Sequence, residues 1–333
     1  MSVRMSPKTL QAILALSGVL MLVVAPFVGM IHVPWDALWD AGAYPAEHRL
    51  FWLLRVPRVL TAFLAGSALA LSGMSFQALF RNALATPYTL GVSSGASLGV
   101  ALCVQFGVGM GLTGYSIQSL AALVGAVLAI AMVYGLTRLR GGCSSATMLL
   151  AGVAVSTTFS SLILFLQYVS DFANSFRIVR WLMGGVATTG YQSVVPLAVL
   201  AGSGILVSLA YLRELDLLTV GEEFAASRGV AVNRTKLIVF LGVSLMVGGV
   251  VAVCGPIGFV GMVCPHLCRL LTGGTHRNLA PATFLFGGTF LLLCDTVARV
   301  LVAPAEMPVG VITALLGGPF FLWLLFRRAA PDL

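Results

Sequence analysis

Long apolar stretches follow one another along almost the whole chain, separated by short polar turns. Ten can be delimited: residues 10–31, 59–80, 88–106, 117–136, 148–169, 194–212, 237–254, 257–271, 280–302 and 309–326. Most approach the ~20 residues a helix needs to cross a bilayer core. None alternates apolar with polar in the manner of a barrel strand. Lipid offers backbone N–H and C=O groups no partners, so such segments must close their hydrogen bonds internally, as helices. The pattern predicts an all-α, polytopic membrane protein with about ten transmembrane helices, in contact with membrane lipids.

Composition sharpens this. Charged residues make up 9% of the chain, against roughly 25% in a soluble domain, and mean hydropathy is +1.01. No Ser/Pro-rich linker or charge block interrupts residues 1–333, so they are expected to form a single transmembrane domain. Its only substantial polar stretch on the inner side is 213–236. The first apolar stretch follows Arg4 and Lys8, outlasts a signal-peptide core and lacks a small-x-small cleavage site, so it is expected to remain as a first helix.

The net charge of +8 forms no basic stripe of the kind nucleic acid would require. Topology explains it better. Threading ten spans from a cytoplasmic N-terminus leaves six of the 19 Lys and Arg outside: Arg49, Arg55, Arg58, Arg177, Arg180 and Arg299. The excess inside predicts cytoplasmic termini at both ends.

Chemistry is sparse. No GxxxxGK[ST] phosphate loop occurs, so the chain cannot hydrolyse ATP, and any ATP-driven step needs a separate subunit. Cys264-Pro265-His266-Leu267-Cys268 suggests a metal, yet His266 lies about 200° around a regular helix from Cys264. The six cysteines (103, 143, 254, 264, 268, 294) are expected to be buried packing residues without disulfides, and no metal site is assigned. Asp295 and Arg299, at i and i+4, are expected to pair. Arg55 and Arg58 suit either snorkelling beside Trp52 or a carboxylate-bearing partner outside. Residues 221–229 predict a short helix between glycines with acids in its first turn, either a solvated loop or a docking knob. Gly152, Ser156 and Ser160 share a helix face, as do Gly91, Gly95 and Gly99; spacing favours close packing over a path lining.

Taken in order, several segments carry a resemblance: Arg55-Val56-Pro57-Arg58, 77–85, 90–96, 181–185, 221–223, 255–261, Pro265-His266, 295–299, 308–314 and 317–321. From about Arg55 onward the chain resembles the FecCD-type permeases, membrane subunits of type II ABC importers for vitamin B12, haem and ferric siderophores. The resemblance implies a dimer, of two copies or with a sister permease, with the path at its centre. ABC ATPase subunits, holding ATP and Mg, would sit below and a substrate-binding protein above. No cofactor is expected on this chain itself. Arg55, Arg58 and Arg299 match outer arginines that grip the binding protein. Gly221, Glu222, Glu223, Ala226 and Gly229 match the ATPase-coupling helix. Asn82 and Leu84 match a gate loop, Ser144, Ser145 and Met148 a closure between helices, and Gly152, Ser156 and Ser160 the path. Ala83 stands where the family usually has proline, so the gate loop lacks that φ lock. Cys264 and Cys268 replace the usual aliphatic residues.

The implied activity is ATP-driven import of a bulky metal chelate across a bacterial inner membrane, with ferric siderophore first and haem or cobalamin next. An ion-coupled carrier would need intramembrane carboxylates, of which Asp295 is almost the sole candidate. A non-transporting interaction subunit is the other alternative.

Overall fold

The computed structural model describes residues 6–86, 88–107, 117–139, 144–186 and 190–328. Helices run in the order α1 (Pro7–Val24), α2 (Pro45–Arg49), α3 (Val56–Phe80), α4 (Val92–Gln105), α5 (Ile117–Leu139), α6 (Ser145–Val169) and α7 (Phe172–Leu182). They continue with α8 (Val194–Ala210), α9 (Leu212–Val220), α10 (Glu222–Ser227), α11 (Val232–Cys254), α12 (Val260–Thr272), α13 (His276–Val300) and α14 (Val309–Arg328). Each of the ten expected stretches contains one principal helix. Cys143, Arg4 and Arg140 lie outside the described residues.

The ten are unequal. Among the described residues, six helical runs are long and apolar enough to cross a bilayer, and α8 with α9, bent by 59°, makes a seventh if counted as one. α4, α12 and the apolar part of α14 are shorter. Two of these shortfalls have local causes. Residues 88–91 form a turn whose last residue, Gly91, has φ +81°, so α4 starts at Val92. Residues 255–258 are not helical, so α12 starts at Val260. Between apolar stretches lie pieces that hydropathy did not predict: α2, α9 and the surface helix α7.

α3 is the axis of the packing, in contact with α8, α11, α12 and α13. Its neighbours approach closely because glycine faces glycine. A Cβ added at Gly73 would lie 1.6 Å from the Gly261 carbonyl, and one at Gly66 would lie 2.3 Å from that of Gly287. α4 meets α5 in the same way, Gly95 against Gly125. Small residues let backbones touch where lipid gives no hydrophobic drive for association. Pro265 within α12 cannot donate to the Gly261 carbonyl, and the Gln77 side-chain amide of α3 donates to it instead at 3.4 Å.

α3 also separates the two ends of the bundle. Arg58 in its first turn and Leu79 near its end are about 30 Å apart at 1.5 Å per residue.

Candidate functional site

At the Arg58 end, four charged side chains from three segments converge. Asp295, almost fully buried, accepts from Arg58 Nε at 3.1 Å and from its terminal nitrogen at 3.0 Å. On its other side Arg299 Nε lies 3.3 Å from Asp295 Oδ2, so the i, i+4 pair expected from spacing forms. Arg58 also donates to Glu306 at 2.8 Å. Two guanidiniums and two carboxylates leave the cluster neutral, which is what makes a buried Asp295 tolerable.

The remaining arginine donors turn inward. Arg299 reaches the carbonyls of Val28 and Ala25 and the Thr296 hydroxyl. Arg55 donates to Pro26 at 2.9 Å, to Phe27 and to Ile31. These carbonyls end α1 and lead out of it, where helix geometry leaves acceptors without intrahelical donors. Arg55 and Arg299, which the resemblance places at the binding-protein surface, thus direct their guanidiniums to the chain's own carbonyls and are buried at 7% and 5% exposure. Arg58 is partly accessible. Arg177 and Arg180, one turn apart on α7, are exposed and line with Arg58, Gln118 and Glu306 a cleft of about 470 Å³.

At the opposite end, α9 bends away from α8 and leads into α10, the short helix expected between glycines. Gly229, at φ +82°, ends α10, and the Val230 N–H closes back on Ala225, a left-handed cap that favours glycine. Ala225 is buried beneath the helix, while Glu223, Phe224, Ala226, Ser227 and Arg228 are exposed. Asp216 of α9 accepts the His276 N–H at 2.9 Å and lies 2.6 Å from its Nδ1, tying α9 to the start of α13.

Glu222, Ser145 and Lys236 meet under α10. Lys236 Nζ is 2.5 Å from Glu222 Oε1 and donates to Ser145 Oγ at 3.0 Å. Ser145 Oγ lies 3.1 Å from the same carboxylate oxygen and 3.3 Å from the Leu79 carbonyl at the end of α3. The loop that follows needs no proline to hold its shape. Arg81 takes the left-handed conformation, and Asn82 Oδ1 accepts the Leu84 N–H at 2.9 Å, the side-chain turn for which asparagine is suited. Asn82 and Leu84 are exposed. Ser144 caps α6 by accepting from Thr147 N–H, and Met148 is buried one turn in.

Gly152 packs on the backbone of Leu90, Ser156 is half-buried and Ser160 is exposed. Around them Thr157, Thr158 and Ser161 donate to carbonyls of their own helix, so these three hydroxyls are already satisfied internally. Cys264 and Cys268 are buried, and His266 stands edge-on to Phe320. Among the described residues no three His, Cys, Asp or Glu side chains converge as metal ligands.

Comparison with known proteins decides the lineage. The FecCD transport family matches residues 14–327. The chain belongs to the FecCD transport family. Its relatives include the hemin transport system permease protein HmuU of Yersinia pestis, 37% identical over 98% of both chains. The Fe(3+) dicitrate transport system permease protein FecD of Escherichia coli is 36% identical over 94% of this chain and 96% of its own. A solved ABC transporter assigned to the metal-chelate type, in an inward-facing conformation, superposes with a TM-score of 0.84 at 33% identity, covering 96% of this chain and 99% of that one. FecCD proteins are transport subunits, so this chain is a permease whose ATP is hydrolysed by a separate partner. Membership also implies a binding-protein partner and a dimeric assembly in the membrane.

Sequence reasoning missed Lys236, Glu306 and Gln77. Lys236 is one of only two lysines in the chain and immediately precedes the apolar stretch 237–254, a position where an ionisable residue usually has a specific partner. Glu306 and Gln77 gave no signal of that kind.

Proposed function

We propose that this FecCD permease imports an iron chelate across the bacterial inner membrane, with the Glu222 end facing the cytoplasm and the Arg58 end facing the binding protein. The observation that carries the cargo class is likeness over almost the full length to permeases for hemin and for ferric dicitrate. Ferric siderophores and haem both belong to that class; cobalamin stands behind them. A path that closes by helix movement suits such cargo. The outward face of α6 is mostly apolar, and its Thr157, Thr158 and Ser161 hydroxyls are satisfied by their own helix, so it offers a chelate few competing ligands.

Docking above falls to Arg58, with the exposed Arg177 and Arg180 beside it, since guanidinium groups match carboxylates. Arg55 and Arg299 serve by holding the end of α1 in place beneath that surface. Docking below falls to α10, whose Glu223 and flanking residues Gly221, Ala226 and Gly229 present a short rigid knob, with ATP and Mg held by the ATPase. Asn82, Leu84, Ser144, Ser145 and Met148 form the inner gate, and Gly152, Ser156 and Ser160 border the path. Transport then requires only that the two gate states bind cargo with different affinity. An ion-coupled carrier is disfavoured, because Asp295 is already clamped between Arg58 and Arg299.

The test is uptake by proteoliposomes containing the permease with its ATPase and binding protein, offered labelled haem, ferric siderophore, ferric citrate and cobalamin. ATP-dependent uptake of an iron compound is expected. Uptake of cobalamin alone would overturn the cargo class, and uptake without ATPase would overturn the importer reading.

A further inference from the structure

We propose that Lys236 is a positioning residue that locks the ATPase-facing helix α10 to the gate, so that α10 and the start of α6 move as one body. This rests on the reading of α10 as the coupling helix and deepens it. Three helices meet at this point, one of them far away in sequence: Glu222 begins α10, Lys236 lies in the second turn of the following α11, and Ser145 begins α6. Lys236 is fully buried, and its Nζ touches both Glu222 Oε1, at 2.5 Å, and Ser145 Oγ, at 3.0 Å. Ser145 continues the chain of contacts to the Leu79 carbonyl, three residues before the gate residue Asn82.

The physical argument is one of cost. Glu222 is 40% exposed on the side where an ATPase would seat, but its inner oxygen is the counter-charge of a buried ammonium. Drawing α10 away alone would leave that ammonium without its carboxylate in a place water does not reach, and an uncompensated buried charge is strongly unfavourable. Carrying Ser145 and Lys236 along keeps the contacts intact. Ser145 is the first residue of α6, the helix whose outer face is exposed along its length, so displacement of α10 is passed to the gate. Glu223, one residue on, is exposed and has no such inward contact among the described hydrogen bonds and ion pairs. The two adjacent acids thus have different tasks: Glu223 faces the partner and Glu222 faces the gate.

The experiment measures cargo transported per ATP hydrolysed in reconstituted complexes carrying Ser145→Ala, Glu222→Gln or both. Assembly with the ATPase is checked by co-purification. Each single substitution should lower the ratio by about 5- to 20-fold while ATP hydrolysis continues, and the double should be no worse than the stronger single, as for residues that act as a unit. Lys236→Met should reproduce this uncoupling; if that variant does not assemble, the cycle between the other two still decides. An unchanged ratio in either single, or losses that multiply in the double, would overturn the proposal. Lack of ATP-dependent uptake by the unsubstituted complex would instead overturn the importer reading on which it rests.

Discussion

The two ends of this permease use charge in opposite ways. At the Arg58 end a neutral cluster is closed by the chain itself: Asp295 is shared by two arginines, and Arg55 and Arg299 spend their remaining donors on carbonyls at and beyond the end of α1. At the Glu222 end, one ammonium joins the Glu222 carboxylate and the Ser145 hydroxyl from separate helices, and that carboxylate remains 40% exposed. The first arrangement fixes a surface. The second links a surface to something behind it. The lesson is that the count of charges at a membrane boundary matters less than whether their partners are buried within the chain or reach an exposed surface.

The contrast can be broken experimentally. The largest effect is expected from Asp295→Asn, which leaves Arg58 and Arg299 facing each other without their buried counter-charge. A loss of about 3–5 kcal/mol should appear as a lower unfolding midpoint in detergent and reduced yield. Arg55→Met removes the donor for three carbonyls, some of which can turn to solvent; about 2 kcal/mol is expected, with ATPase association unchanged. Glu306→Gln, at a 45% exposed side chain, should cost under about 1 kcal/mol. The smallest stability effect, within about 0.5 kcal/mol, is expected for Glu223→Lys, yet this variant should lose ATPase binding in co-purification. If Asp295→Asn and Glu223→Lys changed stability equally, the distinction between a closed and an open end would fail.

Much of this was legible in the sequence, for identifiable reasons. Ten apolar stretches gave ten principal helices, because lipid permits little else. The glycine-bracketed acids at 221–229 predicted α10, and i, i+4 spacing predicted the Asp295–Arg299 pair. The shortened starts of α4 and α12 were not legible, since hydropathy continues through residues that are not helical. Nor was the fate of Arg55 and Arg299. Their partners are backbone carbonyls, at Pro26 and Ala25 among others, and a carbonyl has no letter in a sequence. Lys236 was hidden for a related cause: its partners lie 14 and 91 residues away, and only the fold brings them together.

The most direct measurement is a set of spin-label distances within one subunit of the assembled complex, diluted with unlabelled subunits, with and without ATP. Labels at Ser227 on α10, Ala146 on α6 and Arg277 on α13 occupy exposed positions at the Glu222 end. A constant Ser227–Ala146 distance is predicted, with both labels shifting together relative to Arg277. A Ser227–Ala146 distance that changes on ATP binding while Ala146 stays fixed to Arg277 would contradict the account.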